Sequence, residues 1–216
     1  ISPDGKYQLS DDAVKIKPIR GEDFYPSLSK SNVYIFDNLN NRHWDTWEDG
    51  NFDHVFITER ANPSNKKDIM PNEPFDCPTK PFGGSEDYIW SPDSKKVVYV
   101  TKKKFGTAYA TSTNTDLYAY DVSSTKTTNL TEGMMGYDIN PEFNSKNELA
   151  WLSMERDGYE ADKNDIVVSF KGTTINLTAN WDGSVESFIW SKDGKKVYNI
   201  FQLITNRRIT IINSIN

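Results

Sequence analysis

The chain has 216 residues and a formal net charge of −6, with 36% apolar and 13% aromatic residues. This apolar content is sufficient for a folded core, yet no apolar run approaches the roughly 20 residues that a membrane-spanning helix needs. The 25 Lys and Arg residues are scattered rather than clustered, which argues against a nucleic-acid surface. We therefore expect a folded protein that contacts neither a membrane nor nucleic acid.

The first segment, residues 1–87, contains one turn phrase and an aromatic stretch but no complete repeat. Residues 1–9 read I-S-P-D-G-K-Y-Q-L, which places Pro, Asp and Gly at turn positions. Residues 42–56 read R-H-W-D-T-W-E-D-G-N-F-D-H-V-F, which predicts two strands with E-D-G-N at the turn between them. Both histidines, His43 and His54, lie in this stretch, and packing or hydrogen bonding is favoured for them over general-base catalysis. We expect an irregular segment here.

The single cysteine, Cys77, excludes an internal disulfide and a cysteine-based zinc site. Asp76 precedes it and prolines stand at positions 74, 78 and 81, which indicates an irregular connector. A structural thiol is therefore favoured over a nucleophile. The sequence contains no G-x-S-x-G, P-loop or G-x-G-x-x-G motif, so we predict no catalytic residue, no metal and no cofactor in this chain.

The middle and end of the chain contain a repeat. W-S-P-D-S-K-K-V-V-Y-V at 90–100 returns as W-S-K-D-G-K-K-V-Y-N-I at 190–200, and a weaker copy, F-N-S-K-N-E-L-A-W-L, lies at 143–152. A second phrase, N-L-T, recurs at 129–131 and 176–178. The period is about 50 residues, which is typical of the four-stranded blades of β-propellers.

This period predicts an all-β fold, a partial β-propeller of four-stranded antiparallel blades. We place blades at 88–131 and 139–178 and an incomplete blade at 188–216. A β-sandwich is the alternative, because both folds are built from short strands. Three units are too few to close a propeller ring, so we expect a piece of a longer protein whose open strand edges favour edge-to-edge association of copies.

Long connections are expected on one face of the blades, at 102–115, 131–141 and 153–164, with short turns on the other face. Function concentrates on loops that a rigid scaffold holds, so the long connections predict a recognition surface. Carboxylates there can hold a substrate ammonium group and an arginine can hold a carboxylate or carbonyl. A charged loop that pairs internally is the alternative for 153–164. The candidate substrate-binding residues are Glu155, Arg156, Asp157, Tyr159, Glu160 and Asp162, with Tyr137 and Asp138 as weaker candidates.

Several phrases in these loops carry a family resemblance, among them R-H-W-D-T-W, K-P-F-G-G, Y-A-T-S-T-N-T-D-L-Y, T-E-G-M-M-G-Y-D-I-N-P and S-M-E-R-D-G-Y-E-A-D-K-N. Together with the TolB-like turn repeat, they resemble the N-terminal propeller of bacterial serine exopeptidases in the prolyl oligopeptidase family, of dipeptidyl- or acylaminoacyl-peptidase type. The resemblance implies a seven- or eight-bladed propeller over an α/β-hydrolase domain that carries the Ser-Asp-His triad. That domain is absent from this sequence, so no triad residue is carried over. The resemblance also implies a periplasmic or secreted protein.

Two functions follow from the sequence. In the first, the chain gates a peptidase that cleaves short peptides, and Glu155 or Glu160 holds the substrate amino group. In the second, it is a stand-alone TolB-like propeller that binds a protein partner without hydrolysis.

Overall fold

The computed structural model describes residues 1–28, 30, 32–39, 41–203 and 206–213. Two short α-helices and two 3₁₀ turns interrupt a chain that otherwise consists of strands and loops: α1 Gly21–Phe24, α2 Gly106–Thr111, and the turns Pro26–Leu28 and Ser85–Asp87. The strands are β1 Tyr7–Lys15, β2 Arg42–His43, β3 Thr46–Trp47, β4 Asn51–Glu59, β5 Asn62–Asp68, β6 Tyr88–Trp90, β7 Lys96–Thr101, β8 Asp116–Asp121, β9 Thr127–Asn129, β10 Asp138–Phe143, β11 Leu149–Ser153, β12 Asp165–Phe170, β13 Thr173–Asn176, β14 Val185–Trp190, β15 Lys196–Leu203 and β16 Asn206–Asn213.

These strands form several small antiparallel sheets in which neighbours in space are mostly neighbours in sequence. The first sheet has the order β1-β4-β5, the second β6-β7-β8-β9, the third β10-β11-β12-β13 and the fourth β14-β15-β16. Strands β2 and β3 form a separate hairpin in the long connection between β1 and β4. The protein is therefore mostly β, as the repeat predicts.

The repeated phrase folds into the same hydrogen-bonded turn in the second and fourth sheets. In the second sheet, Ser91 Oγ donates to Asp93 Oδ1 at 2.6 Å and accepts from the backbone N–H of Lys96 at 2.9 Å. Ser191 and Asp193 make the equivalent contact at 2.7 Å in the fourth sheet. Ser and Asp side chains bond to nearby backbone in this way when the chain must reverse direction. The local sequence thus determines the turn between the first two strands of these sheets.

The central strands of the second and third sheets are buried on both faces because each of these sheets lies between two others. In β7, Val97 and Tyr99 pack towards the first sheet, whereas Val98 and Val100 pack towards the third. Strands buried on both faces read as continuous apolar runs, which is why V-V-Y-V is so clear in the sequence. The third sheet repeats this alternation in β11. Leu149 and Trp151 pack towards the second sheet, whereas Ala150 and Leu152 pack towards the fourth.

The N-terminal segment contains more regular structure than the sequence indicates. Residues 1–87 include the whole first sheet, whose strands β1 and β4 pair over nine residues each. The expected turn at E-D-G-N is wrong. The hairpin reverses instead at Trp44, which has a left-handed φ of 49°, and E-D-G-N links β3 to β4.

Candidate functional site

A cavity of about 580 Å³ opens where the long connections of the first three sheets converge. The connections 102–115, 131–141 and 153–164 all contribute to its lining, and so does the connection 76–87, which leads from the first sheet to the second. His43 of the β2–β3 hairpin completes the rim. A cavity of this size is within the range of small-molecule and short-peptide sites.

A β-bulge brings the third sheet into the cavity. The pairing of β10 with β11 shifts between Ile139 and Glu142, and Asn140 has a left-handed φ of 52°. Pro141 follows and has no N–H to donate, which a bulge tolerates. Bulges redirect side chains at sheet ends, and Ile139 and Asn140 both line the cavity.

Asp157 joins two of these connections. Its Oδ1 accepts hydrogen bonds from Ser112 Oγ at 2.7 Å, from the Thr113 N–H at 2.8 Å and from the Asn114 N–H at 3.3 Å. Burial by itself raises the pKa of the Asp157 carboxyl, but these hydrogen bonds outweigh it and the pKa lies below its usual value. The residue is therefore a structural link between 102–115 and 153–164, and it is not part of the cavity lining.

Arg156, Asp162 and Tyr159 form a self-contained cluster on the surface of 153–164. Arg156 Nε lies 3.0 Å from both carboxylate oxygens of Asp162, and its guanidinium carbon lies 4.1 Å from the centre of the Tyr159 ring. The Asp162 pKa is lowered chiefly by the hydrogen bond from Arg156. For these three residues the structure shows the internally paired loop that was the alternative to substrate binding.

Glu160 differs from its neighbours because it lines the cavity. It is exposed and makes no hydrogen bond or ion pair with the described residues. The Glu160 carboxylate also shifts the pKa of two other lining residues. Burial raises the pKa of Tyr137, and the negative charge of Glu160 raises it further. Burial lowers the pKa of Lys102, an effect that Asp157 and Glu160 partly oppose. Of the predicted residues, Glu160 and Tyr137 are the two whose side chains remain available in the cavity.

Glu155 and Asp138 lie elsewhere. Glu155 is exposed but is not part of the cavity lining. Asp138 is fully buried at the start of β10, where its Oδ1 accepts from Trp151 Nε1 at 2.9 Å. Burial raises the pKa of the Asp138 carboxyl to about 7. The prediction that Asp138 lies on a recognition loop is therefore wrong. Asp138 is a core residue, whereas its neighbour Tyr137 lines the cavity.

Sequence reasoning missed the contribution of the connection 76–87. Asp87 accepts from the N–H and the Oγ1 of Thr79 at 2.8 and 2.7 Å, which closes the loop between them. Glu86 lines the cavity, is exposed, and makes no hydrogen bond or ion pair with the described residues. The signal that could have found it is topological, because this connection joins two sheets in the same way as 131–141.

Two lysines of the lining already have partners, although only the first is paired with carboxylates. Lys80 Nζ lies 2.8 Å from Asp76 Oδ1 and 3.4 Å from Asp53 Oδ2. Burial lowers the pKa of Lys80, but these carboxylates more than compensate and the pKa is raised. Lys102 donates to the Ser112 carbonyl and its Nζ lies 4.4 Å from the centre of the Tyr109 ring. Among the carboxylates of the lining, those of Glu86 and Glu160 are thus the ones that accept no hydrogen bond from the described residues.

His54 and Cys77 are buried, whereas His43 lies at the cavity. His54 is fully buried, with Nδ1 2.8 Å from Asp68 Oδ2 and Nε2 2.8 Å from the Glu73 carbonyl. Cys77 is buried, and this burial raises its thiol pKa well above the usual value. His43 lines the cavity and packs against Trp44.

In the described part of the chain, no group of three or more His, Cys, Asp and Glu side chains is arranged to hold a metal ion. Within the same residues, no helix is long and apolar enough to cross a membrane.

Comparison with known proteins identifies the relatives of the chain. It is 40% identical over 203 residues to dipeptidyl-peptidase 5 of Porphyromonas gingivalis, a match that covers 92% of this chain and 29% of that protein. The resemblance to the dipeptidyl peptidases is confirmed. The dipeptidyl-peptidase 5 of Porphyromonas endodontalis is 40% identical over 164 residues, covering 74% of this chain and 23% of that protein. The chain therefore spans less than a third of the length of these curated relatives. No protein-family model matches it.

Solved structures share the fold at low sequence identity. The Pyrococcus horikoshii acylaminoacyl peptidase matches all of this chain with 30% of its own, at 12% identity and a TM-score of 0.63. A protein described as a putative TolB from Agrobacterium tumefaciens matches 75% of this chain with 53% of its own, at 16% identity and a TM-score of 0.50. At these identities the likeness concerns the arrangement of strands alone.

Proposed function

We propose that this chain is part of a β-propeller in a serine peptidase of dipeptidyl-peptidase type, where it admits short peptides and holds their amino terminus. Small antiparallel sheets that pack on one another in chain order, two of which bury both faces of their central strands, support the propeller. The peptidase assignment is supported by relatives named dipeptidyl-peptidase 5. Hydrolysis is assigned to a serine in an α/β-hydrolase domain outside these 216 residues, and the protein is expected to work in the periplasm or outside the cell.

The observation that carries this proposal is a cavity lined by two exposed carboxylates, Glu86 and Glu160, that have no partner among the described residues. An ammonium group is a three-donor cation and is held best by carboxylate acceptors. The other two carboxylates in the lining, Asp76 and Asp87, are already hydrogen-bonded. A volume of about 580 Å³ accommodates a few residues of extended peptide and excludes a folded protein.

The test uses the longest natural product of the gene and dipeptidyl chromogenic substrates with a free or an acetylated amino terminus. Glu160→Gln keeps the size of the side chain but removes its charge, and Glu155→Gln is the matched control on the same loop, outside the cavity. A hydrogen bond to a charged group contributes about 1.5–3 kcal/mol, so we expect KM for free-amine substrates to rise by about tenfold or more in Glu160→Gln. Glu86→Gln should act in the same direction.

Acetylated substrates should be unaffected by either change, because they carry no ammonium group. Equal KM values for Glu160→Gln, Glu155→Gln and the unmodified protein would remove the role assigned to Glu160.

The second function, a TolB-like module that binds a protein partner, is favoured by the structural likeness to the putative TolB. The two functions differ in what the gene encodes after residue 216. A G-x-S-x-G motif on a strand-to-helix turn there would favour the peptidase, and a stop codon would favour the module.

A further inference from the structure

The short turns of the sheets lie on the side of the molecule opposite the cavity. The hairpins of these antiparallel sheets reverse at the ends of the strands that are remote from the long connections. Neighbouring turns touch: the Asp4 N–H donates to Ser94 Oγ at 3.0 Å, and Asn144 Nδ2 donates to the Gly194 carbonyl at 3.2 Å. None of these turns lines the cavity. We call this surface the turn face, and it consists of residues 1–6, 59–62, 91–96, 121–127, 144–148, 170–173 and 191–196.

The turn face is positively charged, whereas the rest of the chain is strongly negative. Its segments contain ten Lys and Arg residues against six Asp and Glu residues, a net charge of +4. All other residues together contain 15 Lys and Arg against 25 Asp and Glu, a net charge of −10. These cations are scattered along the sequence, and the order of the strands gathers them on one side. An anionic surface therefore attracts the turn face and repels the rest of the molecule, which sets the orientation of approach.

Most cations of the turn face have no carboxylate partner. All ten are exposed, and two of them form ion pairs with described residues, Lys6 with Asp4 at 3.3 Å and Lys95 with Asp93 at 4.0 Å. The carboxylates are held within their own turns instead. Asp93 and Asp193 each accept a hydrogen bond from the hydroxyl of the serine two residues earlier, at 2.6 and 2.7 Å. The lysine side chains thus extend into solvent while the acidic groups are used in building the turns.

The chemistry of the turn face favours a lipid surface over a nucleic acid. Nine of its ten cations are Lys, which acts as a point charge, and the guanidinium of the one arginine, Arg60, donates to the Gly5 carbonyl at 2.9 Å. Among the exposed large apolar residues of the described chain, Ile1 alone belongs to the turn face, so it offers no ring on which bases could stack. Short turns at one level also provide no helix or ribbon that could enter a groove of duplex DNA.

We infer that the turn face is a peripheral binding surface for a bilayer rich in anionic phospholipids. The attraction is electrostatic, and each Lys near such a surface strengthens binding by about fivefold. The sequence-based expectation of no membrane contact considered only the spacing of the cations along the chain, not their position in the fold. A protein bound in this way turns its cavity away from the bilayer, open to peptides in solution. The inference does not depend on the proposed function.

The experiment measures flotation of the longest natural gene product with vesicles of phosphatidylcholine, with and without about one third phosphatidylglycerol. We expect binding that requires phosphatidylglycerol. It should weaken by at least about tenfold between about 0.01 M and 1 M ionic strength, because the Debye length falls from about 30 Å to about 3 Å. A triple variant of the turn face, Lys126→Gln, Lys146→Gln and Lys195→Gln, should bind about a hundredfold more weakly at low salt.

The matched control removes the same number of charges elsewhere. Lys30→Gln, Lys66→Gln and Lys67→Gln change exposed lysines that lie between α1 and β2 and towards the far end of β5 from its turn. This variant has the same net charge as the turn-face variant and should retain most of the binding to phosphatidylglycerol vesicles. Urea unfolding of both variants checks that each is folded.

Three outcomes would overturn the inference. Equal losses in the two triple variants would show that net charge, and not the turn face, causes binding. Undiminished binding by the turn-face variant would assign the contact to another part of the protein. Tighter binding to heparin or duplex DNA than to vesicles at the same ionic strength would replace the lipid by a different polyanion. Hydrolysis of dipeptidyl substrates is measured separately, so a failure of the proposed function is distinguishable from each of these results.

Discussion

Replacement of Asp138 by Asn should make the protein more stable at neutral and alkaline pH. Asp138 is fully buried, and this burial raises its pKa from 3.8 to about 7. A carboxyl with a raised pKa holds its proton more tightly in the folded state, so its destabilising effect is absent below the unfolded pKa of 3.8, grows between that value and the folded pKa of about 7, and is constant above it. Asn is neutral at every pH and keeps an oxygen to accept from Trp151 Nε1.

The size of the effect follows from the two pKa values. A difference of about three units corresponds to at most about 4 kcal/mol once the folded carboxyl is ionised, above about pH 7. At pH 5 the same relation gives about 1.7 kcal/mol. Between pH 5 and pH 8, the stability advantage of Asp138→Asn over the unmodified chain should therefore increase by about 2.5 kcal/mol.

The assay is urea unfolding of both proteins at pH 5 and pH 8, followed by tryptophan fluorescence. The comparison cancels the other titrating groups, since the two chains differ at one position. Trp151→Phe, which removes the hydrogen bond to Asp138 but leaves the carboxyl, should keep the pH dependence. The reasoning is refuted if the free energy of unfolding of Asp138→Asn and of the unmodified chain change in parallel between the two pH values.

Three further predictions concern the loops and the sheet edges. Asp157→Ala removes an acceptor of three hydrogen bonds and should lower the free energy of unfolding by about 2 kcal/mol, measured by urea unfolding, whereas Glu155→Ala should change it by less than about 0.5. Gly136→Ala should cost about 1–3 kcal/mol in the same assay, because a Cβ there would lie 2.0 Å from the Met154 carbonyl oxygen. The purified chain is expected to associate through the open edge of β1, and a clean monomer in light scattering at high concentration would contradict this.

The strands were predictable because their signals are local. In the turn phrase, the Ser91 hydroxyl donates to Asp93, only two residues further along the chain. The strand that follows, β7, has apolar or aromatic residues at the positions that pack against the first and third sheets. The same short-range chemistry occurs at Ser191, so a repeat in sequence became a repeat in structure. The N-terminal sheet was missed because β1 pairs with β4 across a long insertion that no local pattern reports.

The roles of individual loop residues were harder to predict because their partners are distant in sequence. In the sequence, Asp157 resembles a free carboxylate, because the three groups at 112–114 that donate hydrogen bonds to it are distant along the chain. Tyr137 and Asp138 are adjacent, yet one faces the cavity and the other the core. Strand alternation would have separated these two had β10 been predicted to begin at Asp138 rather than after a turn.

Topology is the stronger guide to the site. In these meandering sheets, the connection between the second and third strands leaves from the same end as the connection to the next sheet, and that rule alone predicted that 102–115, 131–141 and 153–164 would meet. Applied to every connection, it also places 76–87 there, and with it Glu86 and Phe82. The candidate carboxylates come from separate connections and share no motif. The position of the site therefore follows from the order of the strands. Its specificity follows from the side chains on those connections that make no hydrogen bond within the described part of the chain.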